Sequence, residues 1–291
     1  MLLYLILAVC FNLLLLVIIK YFERFKIPSL QGIVFNYFFA GTTAILFNGN
    51  NVNVNEIIQA DYFPVSLLLG SLFISVFYII SLTAQRLGIA VVSVANKMSV
   101  VIPVIAAFIF YNDSITILKI IAIIIALIAV YFSTISEKKH NDAKNNLTGF
   151  LFPILIFFGS GIIDALVNYA NKKLIHNESE NALFSALLFF VAGLIGVVCL
   201  CYQIFIKKQT FQFKSIIGGL VLGIPNFFSI YFILKALETG ILESSVLYPI
   251  LNILIVASSA IVGFLLFKEK LNKINIAGLI LSLISISLLM I

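Results

Sequence analysis

The sequence predicts an all-α integral membrane protein of ten transmembrane helices, built as two inverted five-helix repeats. Three observations lead there. First, 62% of the 291 residues are hydrophobic, only 10% are charged, and the mean hydropathy is +1.18. A soluble domain is roughly 45–50% apolar and about 25% charged, so soluble enzymes, secreted domains and disordered chains are excluded. Second, the apolar residues gather into ten runs, near 2–19, 31–47, 64–84, 88–110, 116–135, 149–171, 181–205, 215–235, 241–266 and 273–291. Each is close to the length of about 20 residues that crosses a bilayer core. Third, one constant offset of 152 residues superposes polar and glycine positions of the two halves.

Each run must be a helix. A lone strand in lipid leaves its backbone groups unpaired, and the runs lack the period-two alternation of a barrel. The first run has no basic n-region and no small-residue cleavage site, so it reads as a retained helix. The longest connections, near 48–63 and 136–148, are rich in Asn, Asp and Lys and too short to hold a domain. The shift of 152 places Asn12 on Asp164, Lys20 on Lys172 and Ala40-Gly41 on Ala192-Gly193. It also places Ala84 on Ala236, Gly88-Ile89 on Gly240-Ile241 and Ser93-Val94 on Ser245-Val246. Beyond that point the second copy runs four residues longer, with Asp113 matching Glu269. The repeats are therefore 1–147 and 148–291. Five spans per copy is an odd number, so the copies enter the membrane in opposite directions, as in many secondary transporters.

The charge balance of +6 belongs to the connections and reads as membrane topology rather than nucleic-acid binding. With the first connection in the cytoplasm, thirteen Lys and Arg residues lie inside and four outside, which puts both termini outside. Cys10, Cys199 and Cys201 all lie in apolar runs, and His140 and His176 in polar connections. No disulfide framework, zinc spacing or His-based centre follows from them, so no metal and no cofactor is expected. No nucleotide-binding loop is present, so ATP does not drive the protein.

A few polar residues interrupt the runs. Lys97 lies about 13 Å into the fourth run on a rise of 1.5 Å per residue. An unpaired lysine there costs about 2.5–3.5 kcal/mol, which points to an anionic substrate group or a carboxylate partner. A snorkelling lysine near a helix end is the plainer alternative. Asp164 is the acidic residue in the middle of a run, and with Asn168, Asn171 and Lys172 it forms one helix face. Burial would raise its carboxyl toward the range that proton coupling uses; the alternative is a structural ion pair. The ninth run carries Ser245, Tyr248, Asn252 and Ser259 along one stripe, with Pro249 in it. Pro103 and Pro225 mark the fourth and eighth runs, and breaks in corresponding helices are pointers to a transport site. Asn12, Asn36, Tyr78, Gln85 and Asn226 add polar groups that serve helix–helix contact or a ligand. Runs five and ten carry almost none and suit the periphery or a homodimer contact. Most of the 28 phenylalanines are expected to face lipid.

These residues resemble the drug/metabolite transporter superfamily, and its EamA-type members in particular. The resemblance rests on two five-helix halves, on Gly88 and Gly240 at the fourth and ninth spans, and on Gly263-Phe-Leu-Leu-Phe-Lys-Glu-Lys-Leu271 before a short last helix with Gly278. That stretch resembles an apolar run closing on Gly-Glu-x-Leu, with Lys268 in place of the glycine. Phe110-Tyr-Asn-Asp-Ser-Ile115 is a weaker version in the first half. Ser93-Val94-Ala95-Asn96-Lys97 is similar to the Gly-Ala-Leu-Asn-Lys motif of nucleotide-sugar transporters, although that motif stands in their second half. It implies phosphate recognition by Lys97 beside Asn96. The superfamily resemblance also implies termini in the cytoplasm, against the charge count.

The expected function is secondary-active transport of a small polar metabolite across a bacterial inner membrane. Export is favoured by the resemblance, anionic character by Lys97, and proton or counter-substrate coupling by Asp164. The candidate substrate residues are Lys97, Asn96, Asp164, Asn168, Tyr248, Asn252, Asn12 and Asn36. A non-transporting sensor or assembly protein is the alternative. An enzyme on lipid-linked substrates is disfavoured, because no cluster of Asp, His, Glu or Arg marks a membrane surface.

Overall fold

A computed structural model of the protein describes residues 2–48, 58–103, 105, 116–134, 143–175, 178–239, 244–269 and 271–289. Helices coincide with the apolar runs. They are α1 (Leu2–Arg24), α2 (Ser29–Asn48), α3 (Phe63–Leu87), α4 (Ile89–Met98) and α5 (Ile117–Thr134). The second half supplies α6 (Ala143–Lys173), α7 (Glu178–Cys201), α8 (Lys214–Glu238), α9 (Ser244–Phe267) and α10 (Lys273–Leu289). A five-residue π-helical turn, Tyr202–Ile206, continues α7. No strand occurs among the described residues. Among the described residues seven helices are long and apolar enough to cross a membrane: α1, α2, α3, α6, α7, α8 and α9. Shorter apolar helical stretches cover Ile89–Pro103, Ile117–Phe132 and Lys273–Leu288. The chain is an all-α, multi-pass membrane protein.

Two boundaries differ from the sequence expectation. The fourth run was expected to be continuous from 88 to 110, but α4 ends at Met98 and turns at Ser99 and Val100. Pro103 explains the interruption. It has no N–H to offer the Ser99 carbonyl four residues back, and its ring crowds that carbonyl. The Ser99 carbonyl instead accepts from Ile102 N–H at 2.9 Å. At the other boundary, α6 starts at Ala143, inside the expected connection.

Three helices end on a lysine in the left-handed region, Lys26 (φ 52), Lys208 (φ 51) and Lys268 (φ 53). At the end of α1, Ile27 N–H reaches Phe22 O and Lys26 N–H reaches Glu23 O, the two bonds of a Schellman ending. A cation at each C-terminal end also complements the helix dipole.

The chain divides into two compact units. One comprises Met1–Lys20, Ile79–Ile162 and Ser229–Ile291, and the other Tyr21–Tyr78 and Ile163–Phe228. Each draws on both halves of the sequence. In the first unit, Val94, Met98 and Val101 pack with Ala126 and Val130 of α5, Phe157 of α6, Val256 of α9 and Ile286 of α10. Helices α5 and α10 pair closely. The Ser285 hydroxyl donates to Ala122 O at 2.7 Å and the Asn275 amide to Phe132 O at 3.0 Å. Ile120, Ile124 and Leu127 of α5 and Ile280 and Ile284 of α10 stay exposed, which gives these two helices an apolar outer surface. Near the N-terminus, Ala8 and Val9 pack on Leu251 and Ile255.

In the second unit α2 pairs with α7, and small residues let α8 approach α2. A Cβ on Gly223 would lie 2.6 Å from Asn36 O, and one on Gly219 would lie 2.8 Å from Asn36 N. Gly219-Leu-Val-Leu-Gly223 is thus a small-xxx-small contact. Such contacts drive helix association where lipid is as apolar as the side chains. Tyr37 is buried between α2 and α7, and its hydroxyl donates to Phe73 O at 2.9 Å. The phenylalanines divide between two roles. Phe22, Phe157, Phe184, Phe189 and Phe227 are core residues, while Phe150, Phe158 and Phe264 are exposed.

Candidate functional site

The principal charged constellation among the described residues forms where α3 gives way to α4. Gly88 joins the two helices with φ 101 and ψ 163, a region essentially reserved for glycine. The Ala84 carbonyl keeps its helical bond from Gly88 N–H at 3.2 Å, but the interruption leaves Gln85 O and Ile89 N–H without helical partners. Two side chains from distant parts of the sequence meet them. Lys20, near the end of α1, donates to Ala84 O at 2.7 Å and Gln85 O at 3.1 Å. Glu269, just past α9, accepts from Ile89 N–H at 3.1 Å. The cation therefore meets the negative end of α3 and the carboxylate the positive end of α4, each where the helix dipole favours it.

The two side chains also pair with one another, at 3.6 Å, and are 16% and 13% exposed. Gln85 adds an amide contact to Ile19 O at 3.3 Å and to the Ser81 hydroxyl at 3.2 Å. The carboxylate is tightly enclosed. A Cβ on Gly88 would lie 2.7 Å from Glu269 Cδ, and one on Gly263 would lie 2.5 Å from Oε2. Glu269 is itself held by its N–H on Gly263 O at 3.1 Å, and the preceding Lys268 has the left-handed φ of 53. The Lys268 backbone thus adopts a conformation that glycine takes without strain.

Lys20, Ala84, Gly88 and Ile89 are four of the positions that recur after 152 residues, and all four meet at the break. Each stands out in the sequence, but nothing in the sequence joins Lys20 to Glu269. The signal was available in two pieces, the repeat and the Lys-Glu-Lys stretch, lying at opposite ends of the chain.

The second unit holds buried contacts between neutral amides. Asn226 donates to Asn36 Oδ1 at 3.2 Å, with both residues buried, while Asn36 Nδ2 has no hydrogen-bond partner among the described residues. Gln31 is 1% exposed. It donates to Thr210 O at 3.0 Å and accepts from Gln212 N–H at 3.0 Å and the Ser215 hydroxyl at 3.0 Å. It clamps the loop between α7 and α8 to the start of α2.

The residues expected from sequence fall into several environments. Lys97 and Asn96 are half-buried on α4, one turn from Ser93, whose hydroxyl is buried and without a partner among the described residues. Those three share a helix face by spacing. Asn252 is buried at 8% exposure beside Leu251 and Ile255 of the N-terminal core. Asn12 donates to Ala8 O at 2.9 Å, so its amide serves its own helix. Asp164 corrects the expectation of a buried carboxyl. It is exposed on α6, although Ser160, one turn back on the same face, is buried. The side chains of Asn168, Asn171, Lys172 and Tyr248 lie outside the described residues. Among the described residues no group of three or more His, Cys, Asp or Glu side chains could hold a metal ion.

No family model matches the chain. A Haemophilus influenzae protein, described as uncharacterized, is 32% identical over 275 residues, covering 93% of this chain and 91% of that one. A protein of known crystal structure shares the fold at a TM-score of 0.59 and 11% identity, covering 97% of this chain and 95% of that one.

Proposed function

Because the chain belongs to the same family as the Haemophilus influenzae protein, whose description names no activity, we propose a function from its own residues. It is a secondary-active transporter of a small polar metabolite, similar to EamA-type members of the drug/metabolite transporter superfamily. It has ten membrane spans in two inverted repeats and resides in a bacterial inner membrane. The observation that carries this reading is the repeat of polar and glycine positions at one constant offset of 152 residues. An odd number of spans per copy turns the copies over in the membrane, and alternating access follows from exchange between their two arrangements. The seven long apolar helices and the helix interruptions at Gly88 and before Pro103 support it, since non-helical backbone at membrane depth is tolerated only where protein or water satisfies it. In this reading Lys97, with Asn96 and the Ser93 hydroxyl, receives the anionic group of the substrate, and Asp164 is the carboxylate to test for coupling.

The test is the melting temperature of detergent-purified protein against amino acids, organic acids, nucleosides, sugar phosphates and lipophilic cations, with Lys97→Ala in parallel. A ligand at 100 times its Kd stabilises the folded state by about 2.7 kcal/mol. An anion that raises the melting temperature of the native protein and not of Lys97→Ala, and that is carried into proteoliposomes, is the expected result. Binding without transport in sealed vesicles contradicts the transporter reading, and binding unaffected by Lys97→Ala contradicts the site.

A further inference from the structure

A groove of about 780 Å³ runs between α9 and α10 and is almost wholly apolar. Ala257 and Ala260 leave its concavity, Phe264, Leu265, Leu279 and Leu283 line its length, and Glu269 and Leu271 stand at one end. That end adjoins the turn from α9 to α10, where Lys268 and Lys273 are both exposed. The Glu269 charge is already met by Lys20 at 3.6 Å and by Ile89 N–H, so the open charge at the mouth is positive.

We propose that this groove is a binding site for an anionic phospholipid, with acyl chain between α9 and α10 and phosphate against Lys268 and Lys273. From Ala257 to Leu265 the groove extends about 12 Å along α9, and flexible acyl chains follow its apolar length. The charge at the mouth sets the headgroup, because a lysine at the membrane surface favours an anionic lipid by roughly fivefold. The site is independent of what the protein carries.

Native mass spectrometry of the detergent-purified full chain tests this, with phosphatidylglycerol and phosphatidylcholine of identical acyl chains. Phosphatidylglycerol is expected to be retained at least about fivefold better. Lys268→Ala/Lys273→Ala, at exposed positions that leave folding intact, removes the preference. Ala257→Leu/Ala260→Leu, with folding checked by thermal melting, lowers retention of both lipids. Equal retention of the two lipids by the native protein overturns the proposal. So does a preference that survives the lysine substitutions, which places the lipid elsewhere. A lipid-free dimer lost on filling the groove also overturns it and assigns the surface to a second copy.

Discussion

The break between α3 and α4 and the α2–α8 crossing meet the same difficulty by opposite means. At the break, backbone groups lose their helical partners, and a lysine and a glutamate from far along the chain replace them. At the crossing the backbones stay helical and come close over Gly219 and Gly223, with an Asn36–Asn226 amide pair between them. Charge appears where helices end and dipoles can use it. Neutral amides appear in helix interiors, where a charge would cost more than a dipole returns. The difference teaches that the first region depends on a few long-range ionic contacts, whereas the second depends on shape.

The largest effect expected from breaking this contrast is at Gly88. Gly88→Ala combines a positive φ with a Cβ driven into the Glu269 carboxylate, and should cost at least about 3 kcal/mol. Size-exclusion profiles and melting temperature in detergent would read it, with Gly149→Ala as a control, since nothing lies within 4 Å of that position. Next come Lys20→Met and Glu269→Gln. Each strips a partner from a poorly exposed pair and should cost about 2 kcal/mol, with a double substitution less harmful than the two single effects added. Denaturation in mixed micelles measures that cycle; strict additivity would mean the pair is incidental.

Smaller effects separate the second region. Asn226→Leu alone should cost about 0.6–1 kcal/mol, the usual scale of a hydrogen bond between membrane helices. Asn36→Leu/Asn226→Leu together should recover most of that, because no buried amide is then left unmatched. A double variant worse than either single would mean the amides do more than pair. Of similar size and opposite sign, Lys268→Gly should raise stability by about 1 kcal/mol by relieving a left-handed lysine, read as a higher melting temperature.

Much of the fold was legible because apolar runs in a membrane protein leave little alternative to helix. The end of α4 was less so, although Pro103 marked it, because a proline in a membrane helix kinks as often as it stops. The site was legible in parts. Gly88 and Lys20 stood out as repeated positions, but their meaning depended on Glu269, which is adjacent to neither in sequence. Asp164 shows the opposite limit. Its spacing with Asn168 correctly defines a helix face, yet periodicity does not say whether neighbours cover that face. Asn12 likewise appeared as a group for other helices, while its geometry satisfies its own.

The inverted repeat is the claim on which the functional reading rests, and sidedness tests it most directly. Cys10, Cys199 and Cys201 are exposed and would first be replaced. Arg24→Cys and His176→Cys, equivalent under the shift of 152 residues, would then be labelled with a membrane-impermeant thiol reagent in sealed cells and in opened membranes. The inverted repeat predicts that one of the two reacts in sealed cells and the other only after opening. Labelling of both from the same side would contradict it and, with it, the transporter built on opposed halves.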